Sequence, residues 1–176
     1  MRALALLLLL PAAASAQSRH DSTAPINFGA DHIELQDKAN RAVLAGNVQV
    51  RQAEMDLSAQ RMTVAYTGQV VNGSPQVSRL DAAGNVVVRR PSQTATSRFA
   101  VYDLNRRVIT MLGAVTLKQA GNTVNGARLS INLDTGRAVI DGSGVASGGG
   151  GQAGTTQTAP SGRVTGTFSV PKRQGQ

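Results

Sequence analysis

Apolar and polar side chains alternate along most of this chain, and the alternation returns in a fixed motif. Gly46-Asn47-Val48-Gln49-Val50-Arg51 comes back as Gly84-Asn85-Val86-Val87-Val88-Arg89 and as Gly113-Ala114-Val115-Thr116-Leu117-Lys118. A degenerate fourth copy starts at Gly142-Ser143-Gly144-Val145. Side chains that alternate with a period of two predict a strand with one buried face, because successive residues of a strand point to opposite sides. The last three starts are 29 residues apart, and the 38 residues between Gly46 and Gly84 include nine turn-forming ones at 67–75. Fixed periods of this size mark an array of similar units. A unit of this length would extend to ~95 Å, so each must fold back at least once.

Read in order, residues 26–35 alternate, with Ile33 and Leu35 on one face, and 37–40 form a turn. The next strand runs from Arg41 to about Gln52, with Leu44, Gly46, Val48 and Val50 together. Leu57 and Ala59 continue an inward set, after which the parity moves to Met62, Val64 and Tyr66, as a bulge or bend would require. In the second unit Leu80, Ala82, Val86 and Val88 alternate, and residues 98–102 are matched with 61–65, which sets Phe99 and Val101 inward. In the third, Ile109, Met111, Val115 and Leu117 share a face, and 128–133 return with Leu129 and Ile131. Asp134-Thr135-Gly136-Arg137 is the clearest hairpin turn. Val164, Phe168 and Val170 form one face of a last strand that Pro171 ends.

The domain plan follows. Residues 1–16 have a basic start, an apolar run and a small-x-small cleavage site, the layout of a secretory signal peptide, with a run too short to cross ~30 Å of hydrocarbon. Residues 17–25 are expected to be a flexible lead-in, 26–142 the repeat domain, and 143–162 a loop of Gly, Ser and Thr. Residues 163–171 are expected to be a final edge strand and 172–176 a disordered basic tail. With no helical period over a useful length, the fold class is all-β.

Composition narrows the function. Cysteine is absent, which excludes disulfides and thiolate metal sites. Three Phe and two Tyr without Trp leave an aliphatic interior and no platforms for stacking bases, so nucleic acid is not an expected partner. The net charge of +8 suits anionic partners. Arg51, Arg89 and Lys118 would form an outward row if the units stack in register, either keeping the sheet in solution or attracting anionic headgroups.

Catalysis finds no footing. His20 lies in the lead-in, and His32 lies opposite Ile33 and Leu35 as an exposed strand residue. Asp37, Asp81, Asp103 and Asp134 sit at turns, and Glu54 with Asp56 reads as a solvated face. No ligand cluster or catalytic motif stands out, so no catalytic residue, metal or cofactor is expected. Three readings of the apolar face stay open: a groove for apolar chains, a structural or adhesive β-solenoid with a sealed core, and a basic exported module binding acidic polymers by its surface.

The order and spacing of several loose motifs resemble a known family. Residues 31–39, then 43–50, the Gly-Asn-Val repeats, 61–64, and the closing 163–165 with Val170-Pro171 are similar to the LptA/OstA family of periplasmic lipopolysaccharide-transport proteins. The resemblance implies an open, twisted, V-shaped antiparallel β-jellyroll whose interior holds lipopolysaccharide acyl chains. It implies LptC at the N-terminal edge, the N-terminal domain of LptD at the C-terminal edge, and head-to-tail self-association. The edge residues are then Ile26, Phe28, Ile33, Leu35, Val164, Phe168 and Val170. The groove lining is then Ile33, Leu35, Leu44, Val48, Val50, Met62, Val64, Val86, Val88, Phe99, Val101, Met111, Val115, Leu117, Leu129 and Ile131. The Gly-rich stretch 143–162 departs from the family's compact pattern.

Overall fold

The structure is a computed structural model, and it describes residues 20–68, 75–142 and 165–167. The expected signal segment, the loop at 143–162, the fourth repeat start beyond Gly142, Val164, Phe168, Val170 and the tail lie outside the described residues.

Among the described residues all strands belong to one antiparallel sheet. Its body is a meander of six long strands: β3 (Arg41–Gln52), β4 (Met55–Thr67), β5 (Gln76–Arg90), β6 (Gln93–Asp103), β7 (Val108–Gln119) and β8 (Asn122–Asn132). Tight turns at 53–54, 91–92 and 120–121 join three of the pairs. At the last of these Ala120 and Gly121 both take positive φ, +47° and +81°, the conformation that matches the twist of a two-residue hairpin. One 29-residue unit is thus a hairpin of an odd and an even strand.

Each edge of the sheet is a broken strand. β1 (Ile26–Gly29) and β2 (His32–Gln36) both pair with β3, at its two ends. At the far side β9 (Ala138–Asp141) and β10 (Thr165–Thr167) both pair with β8, again at its two ends. The turn expected at 37–40 is a short 3-10 segment, Asp37–Ala39, closed by Asn40 in the left-handed conformation.

The repeated glycine explains the breaks. Gly46 and Asn47 take φ of +76° and +45°, Gly84 and Asn85 +81° and +48°, and Gly113 and Ala114 +79° and +50°. In β3, two residues between Ala45 and Val48 face one residue of β4 between Arg61 and Ala59. The same irregularity recurs between β5 and β6, and between β7 and β8. These are β-bulges lying in register across the sheet, and bulges bend and twist the strands that carry them. The sheet folds along that line into two arms. Its inner faces meet there, because inward residues on both sides of the line are buried: Leu44 and Val48, Met62 and Leu57, Met111 and Val115.

The bend also explains why glycine is required. A Cβ on Gly46 would collide with the side chain of Asp31, and one on Gly84 with that of Gln60. The cross-strand neighbour lies over the bulge, where no Cβ fits. Asp31 is fixed there: its N–H donates to the Gly46 carbonyl (2.9 Å), and its Oδ2 accepts from Asn47 Nδ2 (2.8 Å).

On the even strands the bulge shifts the parity of the inward face by one residue. The shift expected in β4 is present, with Leu57 and Ala59 inward before it and Met62, Val64 and Tyr66 after it. β6 shifts in the same way, from Ala95 and Ser97 to Ala100 and Tyr102, all buried. This corrects the inward placement of Phe99 and Val101. Phe99 pairs with Ala83 and Leu112, in the row of Arg61, and Val101 pairs with Asp81 and Thr110. Both belong to the outer face, and Phe99 is 53% exposed. Ser97 Oγ holds the shift by donating to the Phe99 carbonyl at 2.8 Å.

Candidate functional site

Directly opposed residues of an antiparallel sheet share a face, so the register defines rows that run from edge to edge. One inner row is Ile33, Leu44, Met62, Ala82, Ala100, Met111, Leu129 and Ile140. The next is Leu35, Ala42, Val64, Leu80, Tyr102, Ile109, Ile131 and Ala138. Across the bend, Phe28, Val50, Leu57, Val88, Ala95, Leu117 and Val124 make a third. The interior is therefore one continuous, largely apolar surface, and fully burying a side chain such as Leu44 or Leu129 contributes roughly 1.5–3 kcal/mol.

Of the lining residues expected from the sequence, Leu44, Val48, Val50, Met62, Val64, Val86, Val88, Met111, Val115, Leu117, Leu129 and Ile131 are buried between the arms. Ile33 and Leu35 lie in the same inner rows but at the edge, 42% and 57% exposed, and Phe28 beside them is 46% exposed. Ile26 packs partly against the core. The inner face is thus closed in the middle and uncovered at the β1–β2 edge.

Sequence reasoning missed part of this interior. Met55 and Leu133 are almost fully buried, and so are Tyr102 and Gln52; Leu80 and Ile109, which the alternation places on inward faces but the expected lining leaves out, are buried too. The phenol of Tyr102 donates to Gln52 Oε1 at 2.7 Å, and Gln52 Nε2 donates to the carbonyls of Ser22 and Ala24 at 3.0 Å. Burial pushes the Tyr102 hydroxyl up to about 12, so it stays a donor at any ordinary pH. Period-two reading marks Gln52 as an inward position at a strand end, but no local signal names its partner.

Residues 20–25, expected as a loose lead-in, are drawn over this point. Ser22 Oγ donates to Asp134 Oδ1 (3.0 Å), on the turn after β8, and Asp134 also pairs with Arg107 (3.3 Å). His20 is buried with no partner for its Nε2. Desolvation lowers its pKa below 6.5, partly countered by the neighbouring Gln52 side chain. A second strap closes the other arm, where Tyr66 donates to Asp37 Oδ1 at 3.0 Å; its own burial, then this contact, raise its pKa.

The outer face is mostly polar, with Phe99 exposed among its charged side chains. Arg51, Arg89 and Lys118 fall in one row with Asp56, Thr94 and Thr123 between and beyond them. Arg51 is tied to Asp56 at 2.7 Å. The acids do not converge: among the described residues no group of three or more His, Asp or Glu could hold a metal ion.

An open, bent antiparallel sheet with an apolar inner face and two broken edges is the β-jellyroll that the repeats lead to. The model of the LptA/(LptD N-terminal domain) LPS transport protein family matches residues 28–137. The chain belongs to that family, one of transport proteins and not of enzymes. It is 32% identical over 121 residues to an uncharacterised protein of Rhizobium meliloti (strain 1021), a match spanning 66% of this chain and 65% of the relative. It also resembles the crystal structure of LptH from Pseudomonas aeruginosa, the LptA-homologous periplasmic component of the conserved lipopolysaccharide transport device. That likeness has a TM-score of 0.66 at 21% identity, over 86% of this chain and 99% of that one.

Proposed function

We propose that this protein is a periplasmic bridge subunit, exported by the segment at 1–16, that carries lipopolysaccharide from the inner towards the outer membrane. It holds the acyl chains against the inner face of the bent sheet. The observation that carries this reading is the apolar surface running from edge to edge and emerging uncovered at Phe28, Ile33 and Leu35. A sealed structural array has no reason to leave its inner rows open at one edge. The broken edges support end-to-end assembly by strand addition: LptC at β1–β2, the N-terminal domain of LptD at β9–β10, or further copies head to tail. In the closed state the central rows are inaccessible, so loading requires the arms to part, starting from the exposed edge.

Photo-crosslinking residues placed one at a time in the exported protein test this. Those at Ile33, Leu35, Val50 and Leu117 should capture lipopolysaccharide, and those at Gln49 and Thr116, on the outer face, should not. Equal capture from both faces would overturn the groove. Binding of a headgroup lacking acyl chains as tightly as the intact lipid would favour surface recognition instead.

A further inference from the structure

We propose that the convex outer face of the sheet docks on an anionic phospholipid bilayer, with Phe99 at the centre of the contact and Arg61, Arg89, Arg98, Lys118 and Arg128 around it. The face is separate from the interior, and the inference holds whether or not lipid enters the groove.

Register places these residues together. Arg61, Ala83, Phe99, Leu112 and Arg128 are successive members of one outer row across β4 to β8. Strands lie ~4.8 Å apart, so Phe99 sits about 10 Å from the Arg61 and Arg128 positions on either side. Arg98 precedes Phe99 in the chain, with its aliphatic stem lying over Gly113. Arg89 and Lys118 occupy a second outer row on the other arm, two strands apart. All five cations are exposed.

Three other cations are neutralised locally. Arg51 pairs with Asp56 and Arg79 with Asp81, both at 2.7 Å, and Arg107 pairs with Asp134 at 3.3 Å. Among the described residues, Arg61, Arg89, Arg98, Lys118 and Arg128 form no ion pair. These five cations therefore keep their charge on the outer face; among the described residues Lys38, Arg41, Arg90, Arg106 and Arg137 likewise form no ion pair.

The shape selects the partner. The face is the outside of a fold whose inner faces touch, so it is convex. The cations spread over two dimensions, roughly 20 Å across four strand spacings, instead of following a line. An exposed Phe ringed by Arg and Lys suits a bilayer surface: the ring enters the headgroup–acyl boundary while the cations meet anionic headgroups.

The test uses the mature chain with large unilamellar vesicles of phosphatidylcholine alone or with 30% phosphatidylglycerol. Sedimentation should show binding only to the anionic vesicles, falling steeply as salt rises. Each cation removed should lower partitioning about five-fold at low ionic strength, so Arg61→Gln/Arg89→Gln/Arg128→Gln should nearly abolish it. The paired cations provide the control, Arg79→Gln/Arg107→Gln, which should bind nearly as the parent does. The chain has no Trp, so Phe99→Trp provides a single reporter whose emission should shift to the blue on anionic vesicles. Equal binding to both vesicles, an undiminished triple variant, or an unshifted Trp spectrum would each overturn the proposal. So would tighter binding to soluble polyglutamate than to vesicles of matched charge, which would assign the face to acidic polymers. Circular dichroism of each variant confirms that the fold is retained, since all these side chains are exposed.

Discussion

The Tyr102 hydroxyl and the Gln52 side-chain carbonyl meet at 2.7 Å in the interior, fifty residues apart and on opposite arms of the bent sheet. Tyr102 lies beyond the bend on β6 and Gln52 at the far tip of β3, so this one hydrogen bond ties the arms together. Gln52 extends the tie to the chain before β1 through the Ser22 and Ala24 carbonyls.

Tyr102→Phe keeps the ring and leaves Gln52 Oε1 buried without its donor. It should lower stability by about 1–3 kcal/mol in urea denaturation. Gln52→Leu should cost more, because it also strips the partners from Tyr102 and from two carbonyls of the strap. An order reversed between the two variants would remove Gln52 from its position as the hub.

The bend predicts a contrast between two glycines. Both Gly46 and Gly136 have positive φ, but a Cβ on Gly46 meets Asp31, whose Cβ would lie at 2.9 Å, whereas a Cβ on Gly136 would meet nothing within 4 Å. Gly136→Ala should cost only the left-handed backbone term, about 1 kcal/mol. Gly46→Ala should cost at least ~2 kcal/mol, because Asp31 cannot move without breaking its bonds to Gly46 and Asn47. Equal melting temperatures for the two variants would contradict the packing described at the bulge.

The corrected register of β6 predicts a second contrast. Leu129→Ala, at a fully buried inner position, should destabilise by about 2–5 kcal/mol. Phe99→Ala, although it removes a larger side chain, should change stability by no more than about 0.5 kcal/mol. A large loss at Phe99 would return that ring to the interior.

His20 makes stability depend on pH. Its folded pKa is lowered by burial, with Arg90 adding to the effect and Gln52, Asp21 and Glu54 opposing it. As pH falls below 6.5 the unfolded chain takes up this proton before the folded one does. The contribution is therefore full above pH 6.5 and is lost as pH falls through the depressed folded value. The denaturation midpoint of the parent should drop between pH 7.5 and 5, and His20→Gln should flatten that part of the profile. Parallel profiles for the two proteins would remove His20 as the cause.

Much of this architecture can be read from local pattern. Alternation at period two marks the long strands, the turn residues mark their ends, and the recurring Gly marks a bend. The parity change between Ala59 and Met62 is visible because apolar residues stand on both sides of it. In β6 the same change is hidden: Ala95, Ser97 and Ala100 are too small to announce the inward face, while Phe99 is conspicuous on the outward one. Hydrophobicity then points the wrong way, and only the pairing of Phe99 with Ala83 and Leu112 corrects it.

Other features have no local signal at all. Nothing near Gln52 in the chain names Tyr102, and nothing near His20 foretells its burial, because those contacts exist only once two arms have closed on each other. The sequence by itself determined the strands, the repeat, the aliphatic character of one face and the line of glycines, since each depends on neighbours within a few residues. The tertiary structure decided which arm faces which, which residues are left uncovered at the β1–β2 edge, and which cations go unpaired on the outside. Those outcomes depend on register and on the angle of the bend, and both are set by contacts between residues tens of positions apart.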